Sequence, residues 1–230
     1  MGYRHMCRLF SGPPLAKIKS LTGFDWFMRI DTDSFLLGPV EVDLFSHAAA
    51  NNVKYGWLGA YMDQEYFVTG LWETTRQWMK TEGLSEKELN QWLEPHLKMQ
   101  KKMKEDDAPA VTSRGTSQTE ESATSDELAV AAAFTDGDYD DVRFCFATNF
   151  FLIKTDWMTS PLFARYHKWL DDAEGFYRYR WGDACVHFLA VASMLDRQEE
   201  TYRYNHDVPY WHQGTVLMPE YPGYFSNSNF

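Results

Sequence analysis

The chain has 230 residues, with 9 Trp, 13 Tyr and 16 Phe and a formal net charge of −11. That length suits one large domain or two small ones, and the ring content implies a substantial core. The negative charge argues against nucleic-acid binding, and no apolar run is long enough to cross a bilayer.

Residues 3–22 open with YRHMCRLFSG, polar at Tyr3, Arg4, His5 and Arg8 and without clean periodicity. Pro13-Pro14 makes a break, and Leu15–Leu21 reads as a short helix before Gly23. Phe24–Leu37 (FDWFMRIDTDSFLL) is the stretch on which the chemistry turns. An apolar run of strand character leads into Asp31-Thr32-Asp33. In an extended segment residues two apart point the same way, so both carboxylates would share one side at a strand end. Two such groups repel unless a cation sits between them, and a divalent metal is the usual solution. Asp-x-Asp-Ser is also ordinary turn and cap chemistry.

Val40–Ala50 reads as a helix ended by Asn51-Asn52, Tyr55–Tyr61 as a strand, and Leu71–Met79 as an amphipathic helix. Ser85–Met103 is helical, with Ser85 as N-cap and Glu88 completing a capping box. From Lys101 to Asp141 the chain carries eleven acidic and four basic residues, a net of −7, and almost no aromatics. Residues 104–140 read as a disordered acidic insertion within a single domain spanning 1–230. Asp136–Asp141 resembles a calcium loop but lacks the Gly and Glu that an EF-hand needs, and Asp31–Val42 fails the same test.

Val142–Ile153 is strand-like and carries Asn149, which must find partners either as a ligand contact or by holding a loop. Ser160–Leu170 is helical. Gly175–Val186 concentrates arginine, aromatics and Asp183, and His187–Leu195 continues as an apolar helix. Tyr202–Gln213 (YRYNHDVPYWHQ) places His206, Asp207 and His212 on an irregular segment around Pro209. The cysteines Cys7, Cys145 and Cys185 include no Cys-x-x-Cys pair, which excludes a zinc ribbon or a thioredoxin motif. They fit one disulfide and a free thiol, or three buried thiols.

Mn²⁺ prefers carboxylate oxygens and accepts an imidazole nitrogen, so the acidic triplet and a C-terminal histidine together make a metal set. Two enzyme classes place Asp-x-Asp after a buried strand. A phosphatase of the haloacid dehalogenase type wants Thr or Val where Phe35 stands, and Asp where His187 stands. Nucleotide-sugar glycosyl transfer wants a metal that bridges the donor diphosphate, and an aromatic acceptor cleft suits it.

Four blocks carry a resemblance: YRHMCRLFSG (Tyr3–Gly12), DWFMRIDTD (Asp25–Asp33), RWGDACVH (Arg180–His187) and the terminal His-Asp-x-x-Tyr-x-His of His206–His212. In content and order they resemble glycosyltransferase family 15, the fungal Golgi α-1,2-mannosyltransferases. The resemblance implies a GT-A-like (Rossmann-like) α/β fold, a mixed sheet flanked by helices. It implies GDP-mannose as donor, a mannose hydroxyl on a glycan as acceptor, Mn²⁺ as cofactor, and retention of anomeric configuration. It places Asp31, Asp33 and His212 (second choice His206) at the metal, Arg29, Asp31, Asp33 and Asn149 at the donor, and Tyr3 and Asp183 at the reacting groups. It also implies a Cys7–Cys145 disulfide and a place in the Golgi lumen, where family members are type II membrane proteins; no such anchor lies in these residues. Two departures stand out. Phe151 occupies the position of a family glutamate proposed as nucleophile, and the family's first nucleotide-binding unit precedes YRHMC, so the domain reads as N-terminally incomplete. A catalytically inactive glycan-binding or scaffold protein on the same fold is the alternative.

Overall fold

Side-chain alternation along the strands divides the core into two faces. In the computed structural model, which describes residues 2–21, 23–94 and 143–218, the central strand is β6 (Phe150–Lys154). Its Phe151 and Ile153 join one apolar cluster, while Phe150 and Leu152 join the other, as a period of two requires. β1 (Trp26–Ile30) and β3 (Tyr55–Trp57) flank β6 antiparallel, and β7 (Thr201–Arg203) runs parallel to β3. The order β1-β6-β3-β7 is therefore a mixed sheet. Gly56 in β3 has a packing reason: a Cβ there would lie 2.5 Å from the Tyr204 ring, which closes on the sheet.

Helices cover the larger cluster. α10 (Asp183–Met194) buries eleven of its twelve residues, so it is a core helix with no amphipathic stripe. It packs on β5 (Phe144–Phe146), whose partner in a two-stranded sheet is β4 (Ala60–Met62). α5 (Leu71–Glu82) and α8 (Pro161–Asp172) pack on each other, with Trp78 against Tyr166 at 4.6 Å between centroids. Ser160 caps α8 by accepting the Phe163 N–H, and Gly83 ends α5 in the left-handed region. A third sheet, β2-β8-β9, joins Ser34–Leu36, Tyr210–His212 and Thr215–Leu217.

The mixed α/β fold expected from sequence is present, with several local differences. Gly2–Phe10 is a helix, α1, where no clean period is expected: Tyr3, Met6, Cys7 and Phe10 recur at i, i+3, i+4 and i+7, and its polar side chains tie it to α8 and to α9 (Gly175–Arg178) through Arg8–Asp171 and Arg4 on the Tyr177 carbonyl. The helix expected over Leu15–Leu21 is the shorter α2 (Pro13–Ala16), where the prolines start it. The helix expected from Val40 is α3 (Leu44–Ala50), because the Asp43 carboxylate caps it there. Tyr55–Tyr61 is two strands in two sheets, split at Leu58-Gly59, and Val142–Ile153 is likewise split by a turn at residues 147–149. Tyr202–Gln213 contains strands β7 and β8 with a 3₁₀ turn between them. A short helix, α7, spans Thr155–Met158. Another, α6, follows Ser85 over 87–94, with the Ser85 hydroxyl accepting the Lys87 N–H. Its expected continuation to Met103 and the insertion at 104–140 lie outside the described residues.

Candidate active site

The triplet Asp31-Thr32-Asp33 is a tight turn and not an extended segment: Ser34 N–H donates to the Asp31 carbonyl at 3.0 Å. The carboxylates nevertheless converge, because β2 pairs with β8 and sets Ser34 opposite His212. Asp31, Asp33 and His212 offer ligand atoms that all lie within 4.8 Å of one another. Asp33 is the exposed member, and a hydrogen bond from Gln213 together with nearby His212 holds its carboxyl below the usual range.

Three neighbours, Asn149, Tyr210 and Ser34, fix this cluster. Asp31 N–H donates to the Asn149 carbonyl at 2.9 Å. The Asn149 side-chain amide lies 2.8 Å from His212 Nδ1. The Tyr210 hydroxyl donates to Asn149 Oδ1 at 3.1 Å and sits 2.6 Å from Ser34 Oγ. Burial lifts the Tyr210 phenol to about 12, so it remains a donor. Asn149 thus reaches the site chiefly through the histidine. Its amide nitrogen faces Nδ1 while its oxygen takes the Tyr210 hydroxyl, so this one side chain fixes the plane of the imidazole at the cluster.

A cleft of about 590 Å³ opens beside the cluster, lined by Tyr3, Arg29, Asp31, Asn149, Asp183 and His212 among others. Six of the residues singled out from sequence therefore share one cavity, with Asp33 at the adjoining rim. His206 does not join them; it is exposed on the 3₁₀ turn, so the second-choice ligand is excluded from this cluster. Arg29 is the hinge of the polar floor. Its Nε meets Asp31 and its Nη1 meets Asp183, each at 2.8 Å, and its guanidinium lies 4.2 Å from the Phe10 ring centroid. Asp183 stands in the first turn of α10, where the helix dipole favours an anion. Tyr3, half exposed, has its ionisation pushed up by burial and by the neighbouring Cys7 thiol.

The cleft has further members that sequence reasoning missed: Tyr61, Asp63, Phe67, Arg180, Arg203 and Tyr210. Arg180 and Tyr210 stood inside quoted motifs; nothing in the local pattern distinguishes Asp63 or Phe67. Phe151 is fully buried against Tyr55 and His187 and does not line the cavity.

The expected Cys7–Cys145 bond is not formed. Cys145 bonds Cys185, and Cys7 is a buried free thiol, its pKa raised to about 11 by burial and then by Asp183. The reason is topological: α10 packs directly on β5, which brings Cys185 to Cys145. Asp63 approaches the same two sulfurs, but cysteines bonded to each other offer no thiolate to a metal.

The donor set at Asp31, Asp33 and His212 fits a divalent cation such as Mn²⁺: two hard oxygens and one imidazole, whose buried Nε2 lies 3.2 Å from Asp33 Oδ1 and finds no well-formed hydrogen bond among the described residues.

Among curated proteins, a probable mannosyltransferase of Saccharomyces cerevisiae, KTR3, is 29% identical over 86% of this chain and 39% of its own length. The α-1,2 mannosyltransferase KTR1 of the same yeast is 28% identical over 92% of this chain and 44% of its own. The chain thus spans less than half the length of these relatives. Core-mannan synthase A (CmsA/Ktr4) from Aspergillus fumigatus, solved in its Mn/GDP form, superposes with a TM-score of 0.71 at 22% identity, covering 98% of this chain and 54% of that one. The S. cerevisiae mannosyltransferase Ktr4p in complex with GDP gives 0.67, also at 22% identity, over 94% of this chain and 47% of that one. At such identity the two structures establish the fold. The profile of the glycolipid 2-alpha-mannosyltransferase family matches residues 1–229, and the chain belongs to that family.

Proposed function

We propose that this chain carries the catalytic site of a retaining α-mannosyltransferase, which moves mannose from GDP-mannose to a mannose hydroxyl on a glycan. The observation that carries the reading is the convergence of Asp31, Asp33 and His212 beside one cleft that also holds Arg29, Asp183 and Tyr3. Asp31, Asp33 and His212 would hold a divalent cation, Mn²⁺ by analogy with the neighbour solved in its Mn/GDP form. When bound, that cation supplies Lewis-acid stabilisation of the departing diphosphate. Arg29 holds the Asp31 and Asp183 carboxylates in register and keeps guanidinium donors for phosphate oxygens. Asn149 orients the histidine, and Tyr3 offers its hydroxyl at the far wall of the cleft. Relatives that are fungal mannosyltransferases support a place in the secretory pathway, and the Golgi lumen is the compartment we infer. The Cys145–Cys185 bond suits an oxidising compartment. No described helix is long and apolar enough to cross a membrane.

Isothermal calorimetry with GDP and Mn²⁺ tests the reading. Metal-dependent GDP binding that is lost in D31A/D33A is expected; no binding, or binding indifferent to those changes, rejects it. One observation favours a second reading, a glycan-binding protein without transfer activity: Phe151 presents no carboxylate on the strand position opposite Arg29. Release of GDP from GDP-mannose in the presence of a mannoside acceptor would exclude that second reading.

A further inference from the structure

The turn between α9 and α10 is held in a conformation that a non-glycine residue rarely adopts. Arg180 has φ of 65°, in the left-handed region, where a side chain costs energy unless the surroundings enforce it. The surroundings do so through Trp181. Its indole Nε1–H donates to the Thr69 carbonyl at 2.8 Å, its main-chain N–H reaches the Gly175 carbonyl, and its ring lies so close on Gly175 that a Cβ there would be 2.2 Å away. With Trp181 pinned inward, Arg180 is thrown outward into the cleft.

There its guanidinium lies over two rings at once. The Tyr3 ring centroid lies 4.3 Å from Cζ and the Phe67 centroid 4.1 Å. Phe67 belongs to α4 (Glu65–Val68), which ends at Thr69, the residue that accepts the Trp181 indole. One short stretch therefore fastens both the indole and the guanidinium. No hydrogen bond or ion pair to another described residue competes for Arg180. Tyr3 sits in the first turn of α1, whose backbone is tied to α8 and α9 by Arg8 and Arg4. The helix fixes its Cα, and the guanidinium fixes its ring.

We propose that Arg180 is a positioning residue for Tyr3: clamped between Phe67 and Tyr3, it holds the phenol at the wall of the cleft beside Asp183. Any catalytic consequence rests on the transferase reading above; the clamp itself does not. A cation over a ring face is attracted by the ring quadrupole, and a planar guanidinium stacks where an ammonium cannot. Arg180 also opposes the other groups that face Tyr3. Burial, Cys7 within α1 and Asp183 from α10 disfavour the phenolate, Arg180 favours it, and Tyr61 of β4 is close enough to interact.

The experiment places 3-fluorotyrosine at position 3 of the full chain and reads its fluorine resonance and titration. In R180Q the resonance should move and the phenol should titrate at higher pH, since a nearby positive charge is gone. R180K, which keeps charge but not the planar stack, should fall between. F67L keeps the charge and removes the second ring, so it should move the resonance while leaving the titration near wild type; it also serves if R180Q fails to fold. A resonance and titration at position 3 unchanged in both R180Q and F67L overturn the proposal. The second arm measures transfer: R180Q should lower kcat about two- to fivefold, the worth of a partly exposed cation–π contact, with GDP affinity in Mn²⁺ unchanged. Loss of GDP affinity in step with kcat would mean that Arg180 binds donor, and would overturn the positioning role. A wild-type chain without transfer activity would count against the transferase reading and leave the fluorine result to decide the clamp.

Discussion

His212 Nε2 lies 3.2 Å from Asp33 Oδ1, and no hydrogen bond joins the two atoms. An imidazole nitrogen held this close to two carboxylates stands where a divalent cation would be shared by all three groups. Replacing His212 with Ala should weaken Mn²⁺ binding more than replacing Gln213, which only supports Asp33. Electron paramagnetic resonance of free Mn²⁺ titrated with each variant measures this; equal affinities would remove His212 from the ligand set.

The amide of Asn149 serves that histidine. Asn149→Ala should cost about 10–100-fold in metal affinity, the usual penalty for losing a group that orients a ligand. Thermal unfolding should move little by comparison, because Asn149 is not part of either apolar cluster. A variant that melts far below wild type would instead make Asn149 a fold residue, holding the turn at 147–149 against Asp31.

Arg29 is expected to matter for stability as well as binding. It is the ion-pair partner of Asp183, whose side chain is only 7% exposed, and Arg29→Ala would leave that carboxylate buried and unpaired. Breaking a buried pair costs about 3 kcal/mol or more. Urea unfolding of R29A against R29A/D183N checks the cause: the double variant should recover part of the loss, since it removes the stranded charge.

Acid should destabilise the chain through His187. This imidazole is buried, its Nε2–H donating to the Phe10 carbonyl at 2.9 Å and its Nδ1 accepting from the Tyr55 hydroxyl at 3.0 Å. Burial lowers its pKa to about 4, against about 6.5 in an unfolded chain. The native state therefore refuses a proton that the unfolded state accepts between those values. Stability is fully present above pH 6.5 and falls as pH drops toward 4, by roughly 3 kcal/mol in all. Urea midpoints at pH 7 and 4.5 should differ by less in His187→Gln than in wild type. An identical pH dependence in both would locate the effect elsewhere.

The disulfide assignment is open to direct test. A non-reduced digest should contain a peptide pair joined through Cys145 and Cys185, with Cys7 alkylated only after unfolding. Closing a loop with a sequence separation of 40 constrains the unfolded chain by about 4 kcal/mol, so C145S/C185S should lose stability of that order.

The sequence made the polar residues of the site legible because their chemistry is local: a carboxylate pair after an apolar strand, an arginine beside it, histidines near a proline. The family blocks then set Asp31, Asp33, His212 and Asp183 together without a structure. What stayed hidden was set by distant contacts. The turn at Asp31–Asp33 looks extended until β8 pairs with β2 and pulls His212 across. The strands split at residues 58–59 and 147–149 read as continuous because both halves are apolar. α1 does carry a short helical period, Tyr3, Met6, Cys7 and Phe10, but over nine residues the arginines and histidine between them mask it. The cysteine pairing depends on which helix lies on β5, and spacing does not encode that.

Gly175 carries no functional group and touches no candidate ligand, yet Trp181 rests on it. A methyl group there would push the indole off the Thr69 carbonyl and let Arg180 relax from its left-handed backbone. Residues 180–182 run straight into Asp183, so one added carbon would unsettle two walls of the cleft at once. In a saturation scan scored by function, this glycine would therefore look like an active-site residue, and Ala would be as damaging as many larger substitutions.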